Sequence, residues 1–161
     1  MSFIDNECQF VLWVGVSKSL FNLDSDVLFG AVYIPPEYTR YSNVEAFDEI
    51  ENELMSFCKN SYKYVSIIGD FNAKTGNLND YIVPDETLLD ILHLDSDDDI
   101  LSYLFDFENL QSYNIPLTRS SECSCRPNNY GHKLLNICKK LNLYIANSRI
   151  GKDRGIGIEN L

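Results

Sequence analysis

The chain has 161 residues, of which 45% are hydrophobic and 12% aromatic, ample for one buried core and too apolar for a chain that stays disordered. Its formal net charge of -11 opposes general attraction to a polyanion, so any chemistry on nucleic acid must rely on metal ions or on basic surface outside this chain. No apolar run approaches the roughly 20 residues that span a bilayer, and Met1 to Glu7 lacks the basic and apolar regions of a secretion signal, so a soluble protein of the nucleus or cytoplasm, neither secreted nor membrane-bound, is expected.

Phe10 to Val16 is rich in β-branched and aromatic residues, and Val27 to Ile34 is a second continuous apolar run; both read as strands buried on two faces. Pro35-Pro36 ends the second strand just after Tyr33, because proline cannot donate a ladder hydrogen bond and disfavours helix in the residue before it. From Ser42 the period changes: Val44, Phe47, Ile50, Leu54, Phe57 and Cys58 recur at intervals of three and four, the pattern of an amphipathic helix. Ser42 with Glu45 fits a capping box at its start, and Lys59-Asn60 is a plausible stop.

Tyr64 to Ile68 reads as a third buried strand that ends at the turn-forming Gly69-Asp70, and strand, helix, strand in this order suggests a crossover unit. Residues 77–127 carry the acidic run Asp95 to Asp99, a short helix expected over Ile100 to Phe107, and a Ser/Cys/Pro-rich loop over 120–127. They read as a surface excursion within one domain. Leu134, Leu135, Cys138 and Leu141 then form one helical face, followed by a strand-like Leu143 to Ala146. The five cysteines are odd in number and irregularly spaced, which favours free thiols over a disulfide framework.

Chemistry concentrates at Asp70 and Asn72, two residues apart just beyond a strand, where a loop can aim both side chains at one point. A carboxylate can take a proton from water or bind a metal, and a carboxamide can donate to a phosphoryl oxygen. Tyr33 ends a neighbouring strand and can offer its hydroxyl to the same region. Structural alternatives stand beside each role: an Asx turn for Asp70 and Asn72, and core filling for Tyr33. An EF-hand reading fails because Thr75 occupies the position that needs Gly and Tyr81 the position that needs Glu. Cys123, Cys125, His132 and Cys138 offer three sulfurs and an imidazole, but the C-x-C spacing is unusual for structural zinc and Cys138 lies on the apolar helix face, and His93 and His132 lack a paired carboxylate beside them that would suit acid/base work.

Gly69-Asp70-Phe71-Asn72-Ala73-Lys74-Thr75-Gly76 resembles the GDFN signature of the endonuclease/exonuclease/phosphatase superfamily. Ala31 to Pro36 is similar to that family's strand with a tyrosine before a proline, and Asn129 to Arg149 to its helix-strand segment. The combination most resembles the endonuclease domains of LINE-type retrotransposons and their craniofacial-development-protein-like relatives, over residues 10–155 and weakly across 77–127. The resemblance implies a four-layer α/β sandwich of the DNase I-like type, a magnesium ion that polarises a phosphodiester for attack by water, and DNA as the substrate. It assigns Asp70 to the water, and Asn72 and Tyr33 to the scissile phosphate.

The family also has a Gln-Glu metal-ligand motif ahead of the matching region and a Ser-Asp-His segment after it, and neither occurs in residues 1–161. The expectation is therefore a single incomplete domain, a partial sandwich without the main magnesium ligand or the acid/base histidine, inactive alone. A non-catalytic remnant or protein-interaction domain is the alternative.

Overall fold

The computed structural model describes residues 2–4, 8–60, 62–83, 85–93, 107–120 and 126–155. They form two compact units: Met1–Ala73 with Asn129–Gly131, and Lys74–Asn128 with His132–Leu161. The expected helix at Ile100 to Phe107, except Phe107 itself, the acidic run and most of the 120–127 loop, with Cys123 and Cys125, lie outside the described residues.

The first unit is a mixed four-stranded sheet with a helix beside it. Strands β1 (Ser2–Ile4), β2 (Val11–Val16), β3 (Val27–Tyr33) and β4 (Tyr64–Asp70) lie in the order β1-β2-β3-β4. The first two pairings are antiparallel and β3 pairs with β4 in parallel, Val27 opposite Tyr64 and Tyr33 opposite Asp70. A parallel pair needs a crossover, and helix α1 (Ala46–Asn60) supplies it. The strand-helix-strand reading thus gives the local topology, and β3 stops at Tyr33 where Pro35-Pro36 begins.

One face of the sheet packs on α1 through the only tryptophan of the chain. Trp13 is fully buried, meets Phe57 edge-on at 5.4 Å between ring centroids, and donates its indole N–H to Glu53 at 2.6 Å. The other oxygen of Glu53 accepts from the Cys8 amide at 3.0 Å, so a charged helix residue ties down the entry to β2. A side chain at Gly30 would collide with the Trp13 ring. Phe47, Ile50 and Leu54 complete the buried stripe of α1, each excluding surface worth about 1.5–3 kcal/mol.

Three expectations about this unit change. The helix starts at Ala46, with the Glu45 carbonyl accepting its first bond from the Glu49 amide, and the Asn43 side chain, not Ser42, accepts from the Glu45 amide at 2.8 Å; this is an Asx turn that leads into the helix in place of the expected capping box. Val44, placed on the apolar stripe by period, precedes the helix and is exposed. Strand β4 is half-buried and then exposed, with Ile68 62% accessible, because β4 is the edge of the described sheet. The row Leu12, Ala31 and Ile68 lies on the face away from Trp13 and is exposed across all three strands.

In the second unit, helices α2 (Glu86–Leu92), α3 (Glu108–Ser112) and the greater part of α4 (Asn129–Leu141) are the described regular elements, with a 3-10 turn at Gly151–Asp153. On α4, Leu135, Ile137 and Cys138 are buried, whereas Leu134 and Leu141 are half-buried. Residues 77–127 are not all on the surface: Asp80, Tyr81 and Leu110 are buried, and the Tyr81 and Phe107 rings lie 5.0 Å apart. Leu143 to Ala146 forms no strand; no ladder partner lies beside it among the described residues, and the Ile145 amide instead donates to Asp80 at 2.7 Å. Cys8, Cys58 and Cys138 are free thiols. Among the described residues no helix is long and apolar enough to cross a membrane.

Candidate functional site

The site lies at the end of the parallel pair. Tyr33 and Asp70 are register partners, so both leave the sheet on the same face from strands about 4.8 Å apart. The Ile34 amide donates to the Asp70 carbonyl at 2.9 Å, carrying the pairing one residue past β3. Gly69, with φ of 149°, makes this possible: a Cβ there would fall on the Val32 carbonyl, so β3 and β4 approach more closely than any side chain permits.

After Asp70 the chain turns sharply. Asn72 adopts φ of 47°, the left-handed region that asparagine tolerates better than most residues. Its amide N–H donates to Asp70 Oδ1 at 2.9 Å, an Asx turn, and its side-chain Nδ2 donates to the Ile34 carbonyl at 2.8 Å. Asn72 therefore clamps the β4 turn onto the end of β3, and the structural reading of Asp70 and Asn72 as a turn is present in the geometry. It does not exhaust Asp70, which is exposed and whose Oδ2 has no hydrogen-bond partner among the described residues. Tyr33 does not fill the core: it is 60% exposed.

The three residues singled out from sequence are thus brought together, with Tyr33 and Asp70 accessible and Asn72 bracing them. A proton acceptor beside a phenol donor suits an oxyanion and the water attacking it. Among the described residues no group of three or more His, Cys, Asp or Glu side chains could hold a metal ion. Asp70 by itself does not make a magnesium site. His132 and His93 are exposed and lie in the second unit.

Sequence reasoning missed the neighbourhood of Tyr33. An open cleft of about 410 Å³ adjoins it, lined in part by Gln9, Phe10, Arg40, Tyr41 and Asn43. Its loop is fixed from within: Thr39 Oγ1 donates to the Pro36 carbonyl at 3.0 Å and accepts from the Tyr41 amide, while the Ser42 amide donates to the Thr39 carbonyl at 3.1 Å. The buried Tyr130 packs its ring at a tilt against Phe47, 5.0 Å between centroids, and donates its hydroxyl to the Asn43 carbonyl. The available signal was compositional, three tyrosines and an arginine within Tyr33 to Tyr41 outside any apolar period.

The second unit holds the most buried charge. Asp80, fully buried, accepts from Arg149 Nη1 at 2.6 Å, Arg149 Nη2 at 2.8 Å and the Ile145 amide. Arg149 also donates to the carbonyls of Pro116, Leu117 and Ile145. Arg119 lies 3.9 Å from the same carboxylate and donates to Thr75 and Leu78. These bonds all run within the unit, a clasp between segments distant in sequence.

Comparison with family models, with curated proteins and with solved structures returned no match.

Proposed function

We propose that the Tyr33–Asp70 end of the sheet is the phosphate and water-binding wall of a metal-dependent phosphodiesterase of the endonuclease/exonuclease/phosphatase type, a DNA endonuclease of the retrotransposon branch. The observation that carries the reading is the register pairing of Tyr33 with Asp70, which sets a phenol donor and an ionisable carboxylate on one exposed face at the end of a braced strand pair. Tyr33 donates its O–H to a non-bridging phosphate oxygen. Asp70 accepts a proton from the attacking water through Oδ2, while Oδ1 stays on the turn. Asn72 holds the turn, and any contact it makes to phosphate is secondary to that bond.

In this reading the partial sheet is one layer of a four-layer sandwich, and the magnesium ligands and the acid/base histidine come from outside the described residues. The chain then recognises a phosphodiester without turning it over. The test is to express the reading frame with its flanking sequence, where in-frame Gln-Glu and Ser-Asp-His motifs are expected, and to assay nicking of supercoiled plasmid in Mg²⁺. Asp70→Ala should abolish nicking, since one positioned acid/base group contributes about 10²–10⁴, and Tyr33→Phe should slow it at least tenfold through loss of one hydrogen bond to the developing charge. Flanks without those motifs, and a longer product that does not nick, would leave the second reading, a non-catalytic interaction domain. The Asx turn and the Asn72–Ile34 bond favour that reading because they give the motif a purely structural use.

A further inference from the structure

We propose that the open edge of β4 pairs antiparallel with the same edge of a second copy of this chain, joining the two sheets into one and setting the partner's Lys63 and the partner's Tyr64 beside Asp70. The inference stands on the sheet and its edge groups and is independent of the chemistry proposed for Asp70.

The two ends of the sheet differ in protection. Strand β1 is three residues long, and so short an edge leaves little to pair with. Strand β4 has seven residues, and from Tyr64 to Gly69 it carries no proline and no charged side chain, the usual guards of an edge. It ends the strand order, so among the described residues no strand covers its far side. The ladder fixes where its polar groups point. The Ile34 amide donates to the Asp70 carbonyl, so Asp70, Ile68, Ser66 and Tyr64 turn their amides and carbonyls to β3, while Val65, Ile67 and Gly69 turn theirs outward. Among the described residues no backbone bond from outside the sheet reaches those three.

The same alternation selects the register and the occupant. Pairing centred on Ile67 is two-fold symmetric, so it uses both long edges at once and closes as a dimer. It sets Ile67 opposite the partner's Ile67 and Val65 opposite the partner's Gly69, outward-facing residues that exchange both hydrogen bonds with their opposites. A slip of one residue would set outward groups against inward ones, and a slip of two would leave strand ends unpaired. On the face away from Trp13, Ile68 falls opposite the partner's Ser66, and the exposed row of Leu12, Ala31 and Ile68 runs on diagonally to the partner's Ile68. Asp70 falls opposite the partner's Tyr64. Within one copy the Lys63 ammonium lies 5.2 Å from the centre of the Tyr64 ring, so each Asp70 meets a lysine of the other copy while the two Asp70 carboxylates stay at opposite ends of the seam. Charge complementarity at both ends is what two chains of net charge -11 need in order to approach.

Sedimentation equilibrium of the full chain in about 0.15 M salt, where a Debye length of roughly 8 Å screens the repulsion between copies, should show a dimer. Ile67→Pro should give a monomer, because the lost amide faces outward and no bond to β3 goes with it. Ile68→Lys, at an exposed position, should weaken dimerisation on the order of tenfold by setting lysines diagonally across the seam, with far-ultraviolet circular dichroism unchanged. Asp70→Asn should weaken it severalfold through loss of the pair with the partner's Lys63. Oxidation reads the register: Ile67→Cys should link copy to copy, since opposed Cα atoms about 5.5 Å apart lie within reach of a disulfide, whereas Val65→Cys, facing the partner's Gly69, should not, with the linked residues located by peptide mapping. A monomer at every concentration up to the solubility limit, a dimer that survives both Ile67→Pro and Ile68→Lys, or a disulfide at position 65 with none at 67 would overturn the inference. None of these readouts depends on nicking, so the dimer and the phosphodiesterase reading fail separately.

Discussion

Two aspartates ten positions apart, Asp70 in the first unit and Asp80 in the second, divide the charged chemistry of this chain. Asp80 is fully buried, and its oxygens accept from one arginine twice and from a backbone amide. Asp70 stands exposed at a strand end with one oxygen on its own turn. A carboxylate taken out of water must be answered by donors inside the protein, whereas one left at an edge retains acceptor capacity for a ligand. The difference teaches where to look for function: the densest polar network of this molecule holds a fold together, and the sparser one faces outward.

Removing the buried carboxylate should give the largest effect. Asp80→Asn leaves Arg149 without its counter-charge, and loss of one partner from a buried pair costs about 3–5 kcal/mol; urea denaturation should show a lowered midpoint for the second unit. Replacing both partners, Asp80→Leu with Arg149→Met, should recover part of that loss in a double-mutant cycle. Next in size is Gly69→Ala. The added Cβ falls on the Val32 carbonyl, so the β3–β4 pairing must open, and protection of the Ile34 amide in hydrogen exchange should drop. Asp70→Asn, which keeps the Oδ1 acceptor of the Asx turn, and Tyr33→Phe, at an exposed position, should leave the midpoint within about 0.5 kcal/mol of the parent, which separates their effects on nicking from any loss of fold.

The smallest effect is electrostatic. Asp24 accepts from Lys63 and from the Tyr64 hydroxyl, each at 2.7 Å, and these bonds hold its carboxyl down at about 2, while the same partnership raises Lys63. A depressed carboxyl stabilises above its ordinary 3.8, and that contribution is lost as pH falls through about 2; for Lys63 it is present below the ordinary value and lost as pH rises through the raised one. Both groups lie in solvent, so the shift should show in a side-chain NMR titration, with Lys63→Ala returning Asp24 towards 3.8, and scarcely in stability. The thiols repeat the contrast between buried and exposed groups: burial pushes Cys138 up to about 12, so alkylation at pH 8 read peptide by peptide should modify the exposed Cys58 well before Cys138 while the protein stays folded.

What could be read from the sequence followed the range of the forces involved. Strands β2 and β3, the crossover helix and the stop at Tyr33 come from local period and from two prolines, and these govern structure within a few residues. The burial of β4 was overestimated because four apolar-rich positions look the same in a central strand and in an edge strand; sheet order decides, and it is non-local. Leu143 to Ala146 carries strand composition without a strand to pair with among the described residues. For the site, the Gly69-Asp70-Phe71-Asn72 stretch pointed to the right residues, since Gly69 and Asn72 take backbone angles that their side chains make affordable. The exposure of Tyr33, the Asn72 bond to Ile34 and the cleft at Tyr41 depend on pairing across 38 or so positions. The Asp80–Arg149 clasp spans 69 positions and leaves no local pattern at all.

Trp13 carries a practical consequence. It is the single tryptophan of the chain, its indole is sealed between β2 and α1 and hydrogen-bonded to Glu53, and it belongs to the first unit. Emission excited at the indole band therefore reports the sheet alone, with a blue-shifted maximum while Glu53 and Phe57 enclose it and a red shift once they part. The second unit is spectrally silent in that channel, so far-ultraviolet circular dichroism and tryptophan emission followed on one sample would resolve whether the sheet that carries Tyr33 and Asp70 melts with the Asp80 clasp or independently of it.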